Sequence, residues 1–440
     1  PTATELRRNA IHTNYRAMLD MTVAGGYGTL YGPNVDAAGV VGTGEGMVAG
    51  TEFMAYADDG TGKQNVTLMV QLPASFNPGN PCIITATSSG SRGVYGGIST
   101  GEWGLKRGCA VAYTDKGTGA APHDMGADTV PLANGTRASA AAAGKTAAFN
   151  AGLSATELAE FNTATPSRFA FKHAHSGQNA EKNWGQNTLQ AVEFAFYVIN
   201  QKFGSVDALG NRYQSIKPSN TIVIASSLSN GGGAAIAAAE QDTGGLIDGV
   251  AVSEPAIEMP ANPGVTVKRG TTTVAVTSKT LVDFTTHANV YQACASLAPS
   301  VGTGPYAAAF AAGFAGAAFP VAPNRCAALQ AKGLLTATTT AAQAEEALQK
   351  LRDYGWEPES SELHPSMAAF EVSPAVSVTF ANGLSRASVK DHLCGFSFAS
   401  TAATGAVNSL AAAPLAGMFA TGNGVPPSSG VQLVNNLGKF

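Results

Sequence analysis

A serine between a β-branched run and three glycines is the residue of this chain best suited to nucleophilic chemistry. The segment Ser227–Gly231 reads SLSNG; it follows the apolar stretch TIVIAS and precedes the helix-forming stretch AAIAAAEQ. A catalytic serine on a sharp turn from a strand to a helix needs small residues two positions before and after it. Ser227 and Gly231 occupy those positions, so the pattern predicts Ser229 as a nucleophile. The alternative is that Ser229 only caps the helix, a common role for serine.

Backbone N–H groups that could stabilise an oxyanion are expected from two stretches. The helix after Ser229 directs free N–H groups toward the serine, and the amide of Asn230 is the first expected donor. The glycine-rich loop 87–93, TSSGSRG, follows an apolar strand and is expected to supply the second donor from Ser89 or Gly90. An ordinary flexible turn is the alternative for this loop.

Four further side chains are candidates for lining a substrate site. Arg92 would either hold a substrate carboxylate or pair with an acidic residue of the protein. Tyr306, Phe310 and Phe314 recur every four residues and would form one stripe on a helix. That stripe predicts either apolar core or an apolar wall for an aliphatic substrate.

The elements that must position these residues alternate between apolar strands and helices. A strand precedes Ser229, and another follows its helix in LIDGVAVSEP. An antiparallel beginning followed by this alternation predicts an α/β sheet covered on both faces. Period-2 alternation, apolar runs and helical spacing predict strands at about 52–57, 65–72, 82–87 and 109–114, and a helix over 185–203.

The pattern changes after about residue 255. Residues 1–255 are predicted to form the α/β core, with residues 120–180 irregular because they are rich in Ala, Gly and Asn. Residues 256–440 are predicted to form a mainly helical cap or lid region, with a clear helix over 339–355.

Composition excludes several classes of protein. Only 13% of the 440 residues are charged, and the net charge is −4. No basic patch interleaved with aromatics is present, so nucleic acid is not an expected partner. The weakly polar run 306–322 contains a proline and many small residues, so it is a poor membrane span. The chain begins with Pro1 and carries no signal peptide, which we interpret as a trimmed chain that has been exported. The expected location is the periplasm or the outside of the cell, and the cytoplasm is the alternative.

The five cysteines show no CxxC spacing, which argues against a zinc or redox site, and no metal or cofactor is expected. Cys82 and Cys109 open the third and fourth strands, so their sulfurs are expected to be close, either bonded or as core thiols. Cys294 and Cys326 are candidates to pair within the helical region.

Several long, irregular stretches stand out in the sequence, including SSGSRGVYGGISTGEWGLKRGCAVAYTDKGTG, FAFKHAHSGQNAEKNWG, SSLSNGGGAA, YGWEPES, DHLCGFSFA and FATGNGVPP. They resemble the D-(−)-3-hydroxybutyrate oligomer hydrolases. The resemblance covers most of residues 1–435 and implies an α/β-hydrolase fold with a large cap inserted after the strand that follows the nucleophile. It also implies a serine esterase that acts on short oligomers of (R)-3-hydroxybutyrate, with Ser229 as the nucleophile.

The resemblance also raises the question of where the rest of the catalytic triad lies. α/β-Hydrolases order the triad as serine, acid, histidine, and the resemblance implies an acid and a histidine beyond the cap. We therefore expect the last strands of the sheet to be absent from this chain, and the triad Asp and His to lie on a separate C-terminal fragment of the same precursor. His392 is a weak alternative within the chain. His287 and His364 are weaker still, and all three are expected to be hydrogen-bonded structural residues.

Three other interpretations remain open. His173 and His175, in KHAH, could bind a metal or line the substrate channel, although local structure is the expected role. A tannase-like esterase would place a cysteine directly before the serine, where this chain has Leu228. A non-catalytic binding module would fit a chain that lacks a full triad.

Overall fold

The structure is a computed structural model of the protein. It describes residues 48–58, 60–61, 65–88, 93–116, 122–134, 136–260, 264–274, 279–302, 321–369, 371–402, 406–411 and 431–438. The chain divides into two compact units. Unit 1 comprises residues 1–256, 382–400 and 407–436, and unit 2 comprises residues 257–381, 401–406 and 437–440.

The strands and helices are numbered here in chain order. The strands are β1 Gly50–Ala57, β2 Val66–Pro73, β3 Cys82–Thr85, β4 Ala110–Thr114, β5 His123–Asp124, β6 Thr129–Pro131, β7 Arg137–Ser139, β8 Arg168–Ala170, β9 Ile222–Leu228, β10 Gly249–Ser253, β11 Val267–Arg269, β12 Thr272–Val274, β13 Phe396–Ala399 and β14 Gln432–Asn435. The helices are α1 Ile98–Lys106, α2 Ala140–Ala143, α3 Ala155–Ala164, α4 Lys172–His175, α5 Trp184–Phe203, α6 Ser229–Gln241, α7 Leu281–Ala295, α8 Val321–Ala331, α9 Thr340–Tyr354, α10 His364–Ala369 and α11 Val372–Ser385.

The main sheet of unit 1 has the order β1-β2-β4-β3-β9-β10. β1, β2 and β4 pair antiparallel, whereas β4, β3, β9 and β10 run parallel. The sequence prediction is confirmed for the four early strands and for the long helix α5, within a few residues at each end. The parallel arrangement brings the carboxyl ends of β3, β4 and β9 to one edge of the sheet, which is where the candidate site lies.

Both faces of this sheet are covered. On one face, Met69 and Val111 pack with Leu105 of α1. On the other face, Val70 and Val223 belong to the same buried cluster as residues of α5. β2 and β4 are therefore almost wholly buried, which explains why their sequences are mainly apolar on both faces of the sheet rather than alternating.

The last strand of this sheet has an open side. Among the described residues β10 pairs only with β9, and Val250, the second residue of the strand, is 46% exposed. Ala251 and Ser253 are exposed as well. β10 is thus an edge strand with unusually little cover for the carboxyl-terminal part of a parallel sheet.

Unit 1 contains a second six-stranded sheet that the sequence did not indicate. Its order is β14-β13-β8-β5-β6-β7, and β13 pairs antiparallel with both β8 and β14. The prediction that residues 120–180 are irregular was therefore wrong, because the strands there have only two or three residues and are too short to show a pattern. Within the predicted cap region 256–440, β13 and β14 are strands of this sheet and belong to unit 1.

The first part of unit 2 is mainly helical. α7, α8 and α9 enclose a buried cluster that includes Tyr291, Leu329 and Leu348. A short antiparallel hairpin, β11 and β12, precedes these helices. The predicted helix over 339–355 corresponds to α9.

The structure contains two disulfides. One joins Cys82 and Cys109, which flank the neighbouring parallel strands β3 and β4, as their predicted proximity allows. The other joins Cys294 and Cys326 within unit 2, which confirms that predicted pairing. Cys394 is a free, exposed thiol. No described helix is both long enough and apolar enough to cross a membrane.

Candidate active site

Ser229 sits at the junction between β9 and α6. Leu228 ends the strand in an extended conformation, and Ser229 begins the helix with a φ of 56°, in the left-handed region. A non-glycine residue persists in that conformation only where its surroundings enforce it, and such residues cluster at functional sites. The Ser229 side chain is exposed, and no described residue hydrogen-bonds its hydroxyl. The local geometry therefore presents an accessible hydroxyl on a strained strand-to-helix turn.

Three glycines let the neighbouring backbone close around this turn. A Cβ on Gly231 would lie 2.4 Å from both Ser227 Oγ and the Thr87 carbonyl oxygen. A Cβ on Gly233 would lie 2.4 Å from the carbonyl oxygen of Ala256. Side chains at these positions would push α6 away from the residues that follow β3 and β10. The glycines are thus required by close approach rather than by their backbone angles.

The loop after β3 reaches the same turn. Ser227 Oγ donates a hydrogen bond to the Thr87 carbonyl oxygen, and Thr87 Oγ1 lies 3.1 Å from Thr188 Oγ1 at the start of α5. Thr87 and Ser88 are fully buried. The beginning of the predicted oxyanion loop therefore contacts the residues around Ser229. Its predicted donors Ser89 and Gly90, together with Arg92, lie outside the described residues.

A buried lysine contacts the residue after the serine. Lys116 follows β4, is 2% exposed, and places Nζ 3.4 Å from Asn230 Oδ1. Its ammonium forms an ion pair with Glu181 and lies 4.9 Å from the centre of the Trp184 ring. Burial lowers the pKa of the Lys116 ammonium, and the negative charge of Glu181 acts in the opposite direction. Sequence analysis did not single out Lys116; the only signal was its place at the end of an apolar strand, in TDKG.

A second buried ion pair lies beside the first. Lys172 Nζ is 3.6 Å from Asp115 Oδ1, and it donates to the Asn65 carbonyl oxygen. Because Asp115 and Lys116 are consecutive, their partners Lys172 and Glu181 tie the segment 172–181 to the end of β4. This segment includes most of the stretch FKHAHSGQNAEKNWG.

The two histidines of KHAH are part of this buried structure. His175 Nδ1 accepts a hydrogen bond from the Phe171 N–H, and burial lowers the pKa of His175 to about 3. Burial, with the positive charges of Lys116 and Lys172, holds the pKa of His173 well below its usual range. Both side chains are therefore held neutral. Across the described ranges, no group of three or more His, Cys, Asp or Glu residues is arranged to hold a metal ion.

The histidines considered as bases all have neighbours of their own. His392 stacks on Phe161 at 5.5 Å, and its Nε2 lies 3.4 Å from Thr165 Oγ1. His287 stacks on Tyr354 at 3.9 Å. His364 Nδ1 lies 3.0 Å from Gln292 Nε2. In the part of the chain that the structure describes, no histidine hydrogen-bonds Ser229. The stripe Tyr306, Phe310 and Phe314 lies outside the described residues.

Comparison with known proteins gives a consistent result. The family model described as 3HB-oligomer hydrolase (3HBOH) matches residues 1–439. Three similar curated proteins carry the name D-(−)-3-hydroxybutyrate oligomer hydrolase. They come from Paracidovorax citrulli (70% identical over 436 residues, covering 99% of this chain and 62% of the relative), Ralstonia pickettii (61% over 437 residues, 99% and 59%) and Cupriavidus necator (60% over 439 residues, 99% and 60%). The chain thus spans about three fifths of the length of these relatives. No solved structure matches it.

Proposed function

Because this chain belongs to the 3HB-oligomer hydrolase family, we propose that it is a serine esterase in which Ser229 hydrolyses the ester bonds of short (R)-3-hydroxybutyrate oligomers. The observation that carries the proposal is the left-handed, exposed Ser229 between β9 and α6. A nucleophilic serine needs this exposure at the carboxyl edge of a sheet. A serine that only capped a helix would have an ordinary extended backbone instead. The name shared by the relatives, D-(−)-3-hydroxybutyrate oligomer hydrolase, supports the proposed substrate.

We further propose an α/β-hydrolase fold for unit 1. Two features support it. The sheet begins antiparallel and continues parallel, with the nucleophile strand β9 between β3 and β10. The loop after β3 contacts the first turn of α6, which is the contact that an oxyanion site requires. In this proposal the main-chain N–H groups of Asn230 and of Ser89 or Gly90 bind the oxyanion.

The proposed reaction has two steps. Ser229 Oγ attacks the ester carbon while its proton passes to a general base, and the carbonyl electron pair moves onto the oxygen. The tetrahedral intermediate collapses, the leaving hydroxyacid takes the proton, and an acyl-enzyme remains on Ser229. Water then attacks the acyl group by the same route and releases the second product. The N–H donors stabilise the oxyanion in both steps.

We propose that the base and its orienting acid, a histidine and an aspartate, come from polypeptide outside the described residues, on a C-terminal fragment of the same precursor. His392, His287 and His364 each contact other side chains, namely Phe161, Tyr354 and Gln292. The open side of β10 gives such a fragment a place to extend the sheet next to Ser229. Parallel sheets are normally covered and continued at such positions.

We also propose that the enzyme works outside the cytoplasm. The two disulfides support this location, because disulfides persist in oxidising compartments and are rare in the cytosol.

Covalent labelling tests the nucleophile directly. The enzyme as isolated is treated with a fluorophosphonate, and the label is located by peptide mass spectrometry. We expect the label on Ser229, and we expect Ser229→Ala to lose both the label and the release of 3-hydroxybutyrate from a soluble dimer. Ser226→Ala is the matched control and should keep both. A label on Ser226 or Ser227, or full activity in Ser229→Ala, would disprove the assignment.

A further inference from the structure

We propose that the side-chain amide of Asn230 donates a hydrogen bond to the reacting ester, and that the buried Lys116 fixes the amide in the orientation that allows it. This inference rests on the proposed role of Ser229 as the nucleophile. It assigns a second function to Asn230, besides that of its main-chain N–H, and it makes Lys116 a positioning residue.

The orientation of the amide follows from the chemistry of the lysine. An ammonium group has three donors and no acceptor, so the atom of Asn230 that faces it must be the amide oxygen. The contact is 3.4 Å from Lys116 Nζ to Asn230 Oδ1. The amide nitrogen then lies on the other branch of the side chain. No described residue accepts a hydrogen bond from this nitrogen, and Asn230 is only partly buried. The two N–H groups of the Asn230 side-chain amide can therefore donate hydrogen bonds to a ligand next to the nucleophile.

The partners of Lys116 fix the position of its ammonium, so that it can orient the Asn230 amide. Its side chain is 2% exposed, its ammonium is paired with Glu181, and the ring of Trp184 lies beneath it at 4.9 Å. Trp184 is itself buried, at 4% exposure, at the start of α5. A buried ammonium without such partners would be strongly destabilising, so Glu181 and Trp184 stabilise the Lys116 ammonium in its buried position.

The two possible orientations of the Asn230 amide have opposite effects on the energy of the transition state. With the nitrogen toward the substrate, the amide stabilises the negative charge that develops on the carbonyl oxygen when Ser229 attacks. With the oxygen in that place, the amide would repel the same charge. A single preorganised side-chain donor of this kind contributes roughly 10²–10³-fold to kcat in other hydrolases. Lys116 excludes the unfavourable orientation without touching the substrate.

Asn230→Asp separates the two roles of the side chain. Aspartate keeps an oxygen toward Lys116 but has no N–H donor. The proposal predicts a fall in kcat of roughly 10²-fold for a soluble 3-hydroxybutyrate dimer, with a smaller change in KM. Asn230→Leu, which removes donor and acceptor, should show a similar fall. If Asn230→Asp keeps the wild-type kcat, the side chain serves only to bind Lys116 and the inference is wrong.

A double-mutant cycle tests whether Lys116 acts through Asn230. Lys116→Met should lower kcat roughly 10-fold or more in the wild-type background and have little further effect in Asn230→Leu. Lys172→Met is the matched control, since it removes the neighbouring buried lysine, which pairs with Asp115. It should lose stability but keep kcat in the folded protein. Equal losses from Lys116→Met in both backgrounds would overturn the positioning role.

The fluorophosphonate label distinguishes this inference from the proposed function. If Ser229 is labelled in the wild-type enzyme and the Asn230 variants keep full kcat, only the inference fails. If an active enzyme carries no label on Ser229, both fail. A Lys116→Met protein that does not fold leaves the decision to Asn230→Asp, which keeps the Lys116–Glu181 pair.

Discussion

Gly231 lies directly against Ser227 across the first turn of α6, so that a Cβ at Gly231 would come within 2.4 Å of Ser227 Oγ. The same Cβ would meet the carbonyl oxygens of Thr87 and Ser88 at 2.4 and 2.6 Å. Two of these three neighbours are main-chain atoms of the loop after β3, which cannot move without shifting that loop. The close packing of this turn therefore couples the position of Ser229 to the predicted oxyanion loop.

Gly231→Ala is expected to disrupt this packing. Because the added methyl group meets main-chain oxygens, we expect a loss of roughly 1–3 kcal/mol in stability, or a displaced loop with the fluorophosphonate label on Ser229 lost. Gly244→Ala is the control, because its Cβ would meet only ordinary contacts at 3.7 Å and beyond. Thermal unfolding and labelling measure the two effects. Normal labelling and stability in Gly231→Ala would show that the turn is looser than described.

Ser227→Ala removes the hydroxyl that donates to the Thr87 carbonyl oxygen. Thr87 is completely buried, so water cannot replace this donor, and we expect a loss of about 1–2 kcal/mol in the free energy of unfolding. Ser226→Ala makes the same chemical change one residue earlier, where no described residue hydrogen-bonds the side-chain hydroxyl, and should change stability by less than roughly 0.5 kcal/mol. Chemical denaturation compares the two. Equal effects would contradict the assigned role of the Ser227 hydroxyl.

The Cys82–Cys109 disulfide closes a loop with a sequence separation of 27 residues. Loop-closure entropy predicts that replacing both cysteines by alanine costs roughly 3 kcal/mol. Cys394→Ser is the control, because that thiol is free and exposed. Its replacement should leave the unfolding midpoint unchanged. Thermal unfolding with and without a reducing agent provides a second test, since the double variant keeps only Cys294–Cys326 and should lose less stability on reduction than the wild type.

Glu371 gives unit 2 a dependence on pH. Burial raises the pKa of this carboxyl group to about 7, so the folded protein keeps a proton that the unfolded chain loses near pH 4.5. Stability from this group is fully present below pH 4.5 and is lost as the pH rises to about 7. Glu371→Gln should therefore be more stable than the wild type at pH 8, by roughly 2–3 kcal/mol, and similar to it at pH 4.5. The exposed Glu362→Gln serves as control, and thermal unfolding at both pH values measures the difference. A stability gain that is the same at both pH values would refute the ionisation of Glu371 as its cause.

The sequence predicted the structure best where the pattern of a segment depends only on that segment's own secondary structure. The early strands, α5, α9 and the turn at Ser229 follow from local periodicity and glycine placement. The second sheet could not be predicted, because its strands are short and β8 finds its partner β13 more than 200 residues later. The Lys116–Asn230 contact was hidden for a similar reason, since it depends on β4 and β9 lying on either side of β3. The spacing of residue types within a segment does not indicate which distant segment it contacts.

The pairing of β8 with β13 also determines when unit 1 can finish folding. Phe169 aligns with Phe398, so the chain must be made through all of the residues 257–381 of unit 2 before this strand finds its neighbour. Until then, β8 has an unsatisfied edge during synthesis, and a nascent chain is exposed to misassociation. An exported chain would meet this requirement by crossing the membrane unfolded and folding afterwards, when the whole polypeptide is present at once. Because residues 257–381 of unit 2 lie between β8 and β13 in the sequence, the chain order also determines the order in which unit 1 assembles.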